Sequence, residues 1–414
     1  MPSQILMASN GGGFTAITNP AAAFLSVSGS NGSAEAVVQV EVPQTGTVSA
    51  LYVRVLANDS AVDQIVAVRI GGVDTALTAT VTAAGTGVFT GSATVAVTAG
   101  QLLSIQVTSG AGAGSVTYSI FSIIYTSNTP ETSLQAVVNK AGGAVNVSSG
   151  SSAFSGLTGL IWVTPAAAPT SAAWILRTAA DFTYLRTYIT VNTNTSAGAT
   201  GALYVDGADT ALSVAITTAG AGSTGEFVNT ATTVSVAAGS SISFRFSNPN
   251  TGNGASSYSY SMIQVQRNSR WSNIGVNNIT GAGLAITSQT NNLFFPLGGG
   301  GTTAQTTGGN VQVLARKNFQ VQNMQVNLPV NGAGATFNLR VSAVNTISLV
   351  LSSGQVGIFL DSTQMQTVNS TDTLNWRMVC TTAGVTGGWT VAGITAEMAS
   401  IDTIPQRTLV GVGV

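Results

Sequence analysis

The feature that most constrains this chain is a period of two. Ala50-Leu51-Tyr52-Val53-Arg54-Val55 sets Leu51, Val53 and Val55 on one face of an extended segment and Tyr52 and Arg54 on the other. Ser240 to Phe246 does the same with Ile242, Phe244 and Phe246, and Thr336 to Val341 is a third instance. Such alternation describes strands with one buried face, the norm in antiparallel sandwiches. Val, Thr, Ile and Phe fill the runs, and Gly, Asn, Ser and Pro punctuate them. Helical periodicity is almost absent. The nearest approach, Thr132 to Lys140, reads either as one or two helical turns or as a strand. The chain is expected to be all-β.

Two hairpins are legible. Ala67 to Leu77 turns at Gly71-Gly72, and Leu203 to Leu212 turns at Asp206-Gly207, dipeptides suited to the positive φ of two-residue turns. They are also copies of each other: Gly72-Val73-Asp74-Thr75-Ala76-Leu77 matches Gly207-Ala208-Asp209-Thr210-Ala211-Leu212. Further landmarks follow in the same order. Gly87-Val88-Phe89 meets Gly225-Glu226-Phe227, Val95 to Gly100 meets Val234 to Gly239, and Tyr118-Ser119-Ile120 meets Tyr260-Ser261-Met262. A weaker third copy comprises Asn310 to Ala315, Phe337 to Val341, Gly357-Ile358-Phe359, Leu374 to Met378 and a closing strand Trp389 to Met398.

Three tandem antiparallel β-sandwich modules are therefore expected, over 1–126, 127–267 and a divergent 268–402, with an extended tail at 403–414. Roughly 130 residues and about eight short strands per module suit a jelly roll, with an immunoglobulin-like sandwich as the nearest alternative.

The succession of strand, Gly-rich loop, Gly-x-Phe, Val-x-Val-x-Ala-Gly and closing Tyr-Ser-Ile strand resembles the jelly-roll, tumour-necrosis-factor-like modules of phage virion proteins. Capsid-decoration, head-fibre and tail-appendage proteins are the types it is similar to. The resemblance implies a non-enzymatic structural virion protein, made in the host cytoplasm and incorporated into particles. Its partners would be other virion proteins of the capsid or an appendage, or copies of itself. The alternative is a receptor- or glycan-binding adhesin or tail-fibre protein with a host glycan as partner. Because such jelly rolls commonly pack as trimers, three modules in one chain could imitate a trimer. Three rod-like chains wrapped together are the other arrangement.

Composition agrees with a chain that works by contact. Only 27 of 414 residues are charged (13 Lys+Arg, 14 Asp+Glu), or 7%, against roughly 25% in an ordinary globular protein. With a net charge of −1 there is no basic field for a phosphate backbone, which argues against nucleic acid as a partner. No histidine is present, so imidazole chemistry is excluded. Cys380, the sole cysteine, forms neither an intrachain disulfide nor a Cys/His zinc site. Hydrophobic residues at 44% exclude a disordered chain. No apolar run reaches the roughly 18 residues of a spanning helix, and the first ten residues lack the Lys or Arg of a signal peptide. Neither membrane insertion nor general secretion is expected.

Asp206 and Asp209, Asp74, and the pair Asp59 and Asp63 read as turn chemistry rather than calcium ligands. Glu35, Glu41, Glu131, Glu226 and Glu397 are scattered and offer no glycosidase pair. No catalytic, cofactor-binding or metal residue is named, and no cofactor is expected. Trp174 and Trp376 lie in alternating strands and are assigned to cores. Arg270 and Trp271, at a module junction, are the candidate contact surface. Eleven arginines against two lysines, Lys140 and Lys317, fit protein interfaces.

Overall fold

The computed structural model describes residues 3–401 except 16–21, 26–30, 33, 43, 111–113, 129–131, 140–144, 156–158, 162–171, 195–196, 219–223, 250–254, 268–271, 278–283, 287–291, 296, 298–307, 381–387 and 392. Among these residues the helical segments are two short 3-10 turns, Glu35–Val37 and Gly308–Val311. The rest of the regular structure is strand. Pairing is antiparallel except between Thr132–Asn139 and Gly159–Ile161. The ambiguous segment beginning at Thr132 is thus a strand.

Strands pair only within three consecutive stretches of chain, and each stretch builds facing sheets. With eight positions lettered B to I in chain order, one sheet runs B-I-D-G and the other C-H-E-F. In the first sandwich these are B Ser3–Thr15, I Val116–Ser127, D Gly46–Asn58 and G Gly87–Val97. Facing them are C, split between Ala22–Leu25 and Val40–Glu41, then H Leu102–Ser109, E Gln64–Ile70 and F Val73–Val81. The second repeats the order with B Thr132–Asn139, I Ala255–Arg267, D Ala180–Asn192 and G Gly225–Val236. Its other sheet has C split between Ser151–Ser155 and Trp174–Ile175, then H Ser241–Asn248, E Ala199–Val205 and F Ala208–Ile216.

The third has B Ser272–Asn277, I Gly393–Ser400, D Phe319–Leu328, and a G position filled by Gly357–Leu360 and Met365–Val368. Opposite are C, split between Leu293–Phe295 and Val313–Leu314, then H Thr373–Cys380, E Ala335–Val341 and F Val344–Leu351. This order is that of a jelly roll; the immunoglobulin arrangement would separate the strands differently. The expected closing strand of the third copy is strand over Trp389–Val391 and Gly393–Ser400. Its partner strand D is interrupted at Pro329, which has no N–H to donate to the ladder.

The period of two has the expected result. Val48, Leu51, Val53 and Val55 are buried in one core, with Val66, Val68, Ile105 and Val107 facing them. Phe182, Leu185, Phe244, Phe246 and Tyr258 fill a second, and Phe337, Leu339, Trp376 and Met378 a third. Trp174 and Trp376 are both core residues.

The three D strands are the closest copies of one another. Each has its fifth residue at positive φ: Ala50 at 57°, Tyr184 at 56° and Asn323 at 55°. Register shifts flank each of these residues, so the strand bulges there and twists. Asn58, Asn192 and Asn331 occupy a second equivalent position. Asn58 donates to the carbonyls of Thr82 (3.0 Å) and Gly85 (2.9 Å), Asn192 to Thr217 (2.7 Å), and Asn331 to Ser352 (2.7 Å) and Gln355 (2.9 Å). The amide satisfies carbonyls that leave the F strand, where no ladder partner exists.

Candidate functional site: the contacts that join the sandwiches

On strand D the residues that alternate away from the core would face water in an isolated sandwich. Here they do not. Tyr52 is 2% exposed, Arg186 3% and Gln325 3%. These three residues are equivalent, Arg186 lying 134 residues and Gln325 273 residues beyond Tyr52 (52 to 186, 52 to 325). The same spacings relate the inner C segments, since Val40, Trp174 and Val313 each pair with the equivalent position of strand H.

Each outward D face docks on the inner C segment of another sandwich. From the first, Tyr52 enters the third sandwich's core cluster with Ile120 and Ile124 of strand I, and Ala50 packs against it. Its hydroxyl donates to the Gln312 carbonyl at 3.2 Å. Burial pushes the Tyr52 phenol above its ordinary pKa, with Arg54 opposing. Lys317 Nζ adds a bond to Thr126 Oγ1 at 3.1 Å. From the third, Gln325 Oε1 accepts the Ile175 N–H at 3.0 Å and Asn327 Nδ2 donates to the Ala173 carbonyl at 3.1 Å, both in the second sandwich. From the second, Tyr184 donates to Glu41 of the first, and the Arg186 guanidinium lies 3.5 Å from the same carboxylate while also pairing with Glu226. Tyr184 and Tyr188 pack against the first core. Burial, followed by the Glu41 carboxylate, raises the Tyr184 pKa and keeps the phenol a donor.

First docks on third, third on second, and second on first. The contact is head-to-tail and it closes after three, so one chain carries a pseudo-threefold ring. The chemistry of the three equivalent joints differs: apolar with one phenol, amide to backbone, and a buried ion pair.

The candidate contact residues Arg270 and Trp271 lie outside the described residues. The docking residues Tyr52, Arg186 and Gln325 were missed because they share a position but no chemistry. The signal available was positional: a large outward residue two places after the strand's bulge. The acidic residues are placed in local partnerships. Asp63 accepts the Ala83 N–H, Asp206 the Ser241 N–H, while Asp74 pairs with Arg69 and Asp209 with Arg245. Glu226 serves the Arg186 joint. Among the described residues no three His, Cys, Asp or Glu converge as metal ligands.

No protein-family model and no curated protein matches the chain. Among solved structures it is similar at 9% identity to one described as "Life in the extremes: atomic structure of Sulfolobus Turreted Icosahedral Virus", covering 86% of this chain and 80% of that one with a TM-score of 0.18. A second, "The Triple Jelly Roll Fold and Turret Assembly in an Archaeal Virus", is also 9% identical, with 87% and 82% covered and a TM-score of 0.19.

Proposed function

We propose that this chain is a non-enzymatic structural component of a virion, of the decoration or fibre type, acting as a ready-made pseudo-trimer. Its modules are the three jelly rolls, divided at about residues 127 and 268, with 403–414 as a separate tail. The observation that carries the reading is the closed ring. Outward positions that an enzyme or receptor would leave free for ligand are used to join one sandwich to the next. A unit of threefold shape built from one chain suits a site of threefold symmetry on a shell. The few charged residues and the arginine bias fit a surface meant for other protein.

Two measurements test this. At high salt the sedimentation mass should be that of one chain, 41.5 kDa; a stable three-chain species would show that the ring forms between chains instead. Purified, protease-washed particles from the source culture should contain the chain in fixed stoichiometry to the shell protein. Its absence from such particles would overturn the virion reading, and saturable binding to a glycan array in its place would assign the adhesin role.

A further inference from the structure

A second set of equivalent residues lies on the other sheet of each sandwich, C-H-E-F. In each sandwich a Phe of strand C sits opposite a polar residue of strand H: Phe24 opposite Gln106, Phe154 opposite Arg245, and Phe294 opposite Arg377. Each ring is covered by a guanidinium. Arg69 lies 5.7 Å from the Phe24 centroid, Arg245 6.0 Å from Phe154, and Arg340 5.0 Å from Phe294.

What surrounds the arginine differs in sign. In the first sandwich Arg69 pairs with both Glu35, at 2.9 Å, and Asp74, for a formal charge of −1. In the second Arg245 meets one acid, Asp209 at 2.7 Å, for a charge of zero. In the third there are two arginines, and the position of Asp74 and Asp209 is held by Asn345. Among the described residues neither Arg340 nor Arg377 has an ion pair, and their charge is +2. Arg377 makes do with the Asn345 and Asn292 side-chain carbonyls at 3.3 and 2.7 Å, and the Nε of each guanidinium has no partner. Burial, then the charge of Arg377, lowers the Arg340 pKa.

Beside each of the two charged clusters stands an exposed valine at the tip of the E–F hairpin. Val73 is 66% exposed in the first sandwich and Val344 63% in the third. The second sandwich has Ala208 there.

We propose that the third sandwich's Arg340–Arg377 face binds the first sandwich's Glu35–Asp74 face of a second copy of this chain. Asp74 itself shows the geometry a carboxylate takes on such a Phe-backed arginine, and the third sandwich lacks its own. Charge is complementary, and the flanking valines supply apolar area that the second sandwich, with Ala208, lacks. Because the two faces are different, the contact is head-to-tail and repeats from copy to copy, giving a chain or lattice of rings. The inference does not depend on the virion reading, since self-association is measurable without a particle.

The test is sedimentation velocity of the full chain at about 20 mM and about 500 mM salt, a range over which surface charge pairs pass from weakly to strongly screened. Association is expected at low salt and its loss at high salt. R340E/R377E and D74K should each be monomeric at low salt, and an equal mixture of the two should associate again, because the intact acidic face of the first then meets the intact arginine face of the second and the two reversed faces meet each other. A wild-type chain that stays monomeric at both salts would overturn the proposal. So would association of either variant alone, or a mixture of two folded variants that does not recover. R377Q, which installs the residue found at the equivalent Gln106, guards against misfolding: it should weaken low-salt association about tenfold with an unchanged melting curve, the loss of one charge-assisted contact. Unchanged association in R377Q would also refute it. Binding of an acidic oligosaccharide by a strictly monomeric chain would assign the arginine pair to a sugar instead.

Discussion

Tyr52→Ala separates a closed ring from three beads on a string. Leu51 and Val53 point into the first core, so Tyr52 points out of its own sandwich. In an isolated sandwich its truncation would be a surface change, within about ±0.5 kcal/mol of neutral. In the ring the side chain is 2% exposed and belongs to the third sandwich's core. Deleting a buried aromatic removes its transfer free energy and leaves a cavity, together about 3–5 kcal/mol. The Tyr52–Gln312 bond, at 3.2 Å and only part-buried, falls at the weak end of about 0.5–1.5 kcal/mol and lies within that range. The expected loss is thus about 3–4 kcal/mol, and Tyr52→Phe should lose only the small hydrogen-bond part. Urea unfolding gives the free energies. Hydrogen exchange locates the effect: protection should fall at Gly308–Val311 and Val313–Leu314, more than 250 residues from the substitution, as well as in strand D. A Tyr52→Ala chain within 0.5 kcal/mol of wild type, with protection of the third sandwich unchanged, would refute the docking of first on third.

Other consequences are measurable in the same way. In a double-mutant cycle, Glu41→Ala and Tyr184→Phe should couple by about 1–2 kcal/mol, since each removes the bond between them across the second-to-first joint; additive effects would deny the contact. Asn58→Ala should cost about 1–3 kcal/mol by leaving the Gly85 carbonyl and the Ser60 N–H without the Asn58 side chain and the Thr82 carbonyl with the Gly85 N–H alone, read by urea unfolding against a near-neutral exposed control such as Thr80→Ala. Ala343→Gly should stabilise by about 0.5–1 kcal/mol, because Ala343 is held at a φ of 69° that glycine adopts freely; a lower melting temperature would contradict this. Burial raises the Glu35 pKa, but bonds from Arg69 and Ser104 and the Arg69 charge outweigh it and leave it lowered. The Asn369 N–H and Ser342 hydroxyl lower that of Asp372. Both folded values lie below the unfolded ones, so their stabilisation is complete above the unfolded carboxylate range near pH ~4 and is lost as pH falls through the lowered values. Acid unfolding curves of Glu35→Gln and Asp372→Asn should be flatter than wild type in that window.

The sandwiches were legible because the signal for them is local. Alternation needs only neighbouring residues, and the Asp-Thr-Ala-Leu repeat encodes a hairpin clamp. Thr75 and Thr210 bond back to the carbonyls of Val68 and Leu203 (2.8 and 2.9 Å), and Leu77 and Leu212 fill cores. The third copy was fainter for a physical reason. Its hairpin uses Thr346 in the same way, to the Leu339 carbonyl, but turns through Ser342 and Ala343, both at positive φ, where a Gly dipeptide would have announced it. The joints were not legible at all. Their positions recur, yet Tyr52, Arg186 and Gln325 meet a carbonyl, a carboxylate and an N–H, so no common motif exists to be found.

That divergence is itself an argument about why three sandwiches share a chain. Three identical modules would form the same ring as separate subunits, but every joint would then accept every partner. Here a wrong pairing is costly. Seating the second sandwich's D face on its own kind of C segment would set Arg186 against the Ile175 position and leave its buried guanidinium with Glu226 alone. Seating the third sandwich's face against the first would give Glu41 one neutral amide donor in place of the Tyr184 hydroxyl and the Arg186 guanidinium. Only the seating of second on first brings Glu41 together with both Tyr184 and Arg186. Tethering makes each joint intramolecular and so raises its effective concentration, while the mismatched chemistry directs that gain to a single arrangement. A ring whose faces are all different also presents unequal outer surfaces. Three identical subunits could not offer an acid-rich face, a neutral one and an arginine-rich one, and a chain that polymerises head-to-tail needs at least two of those to differ.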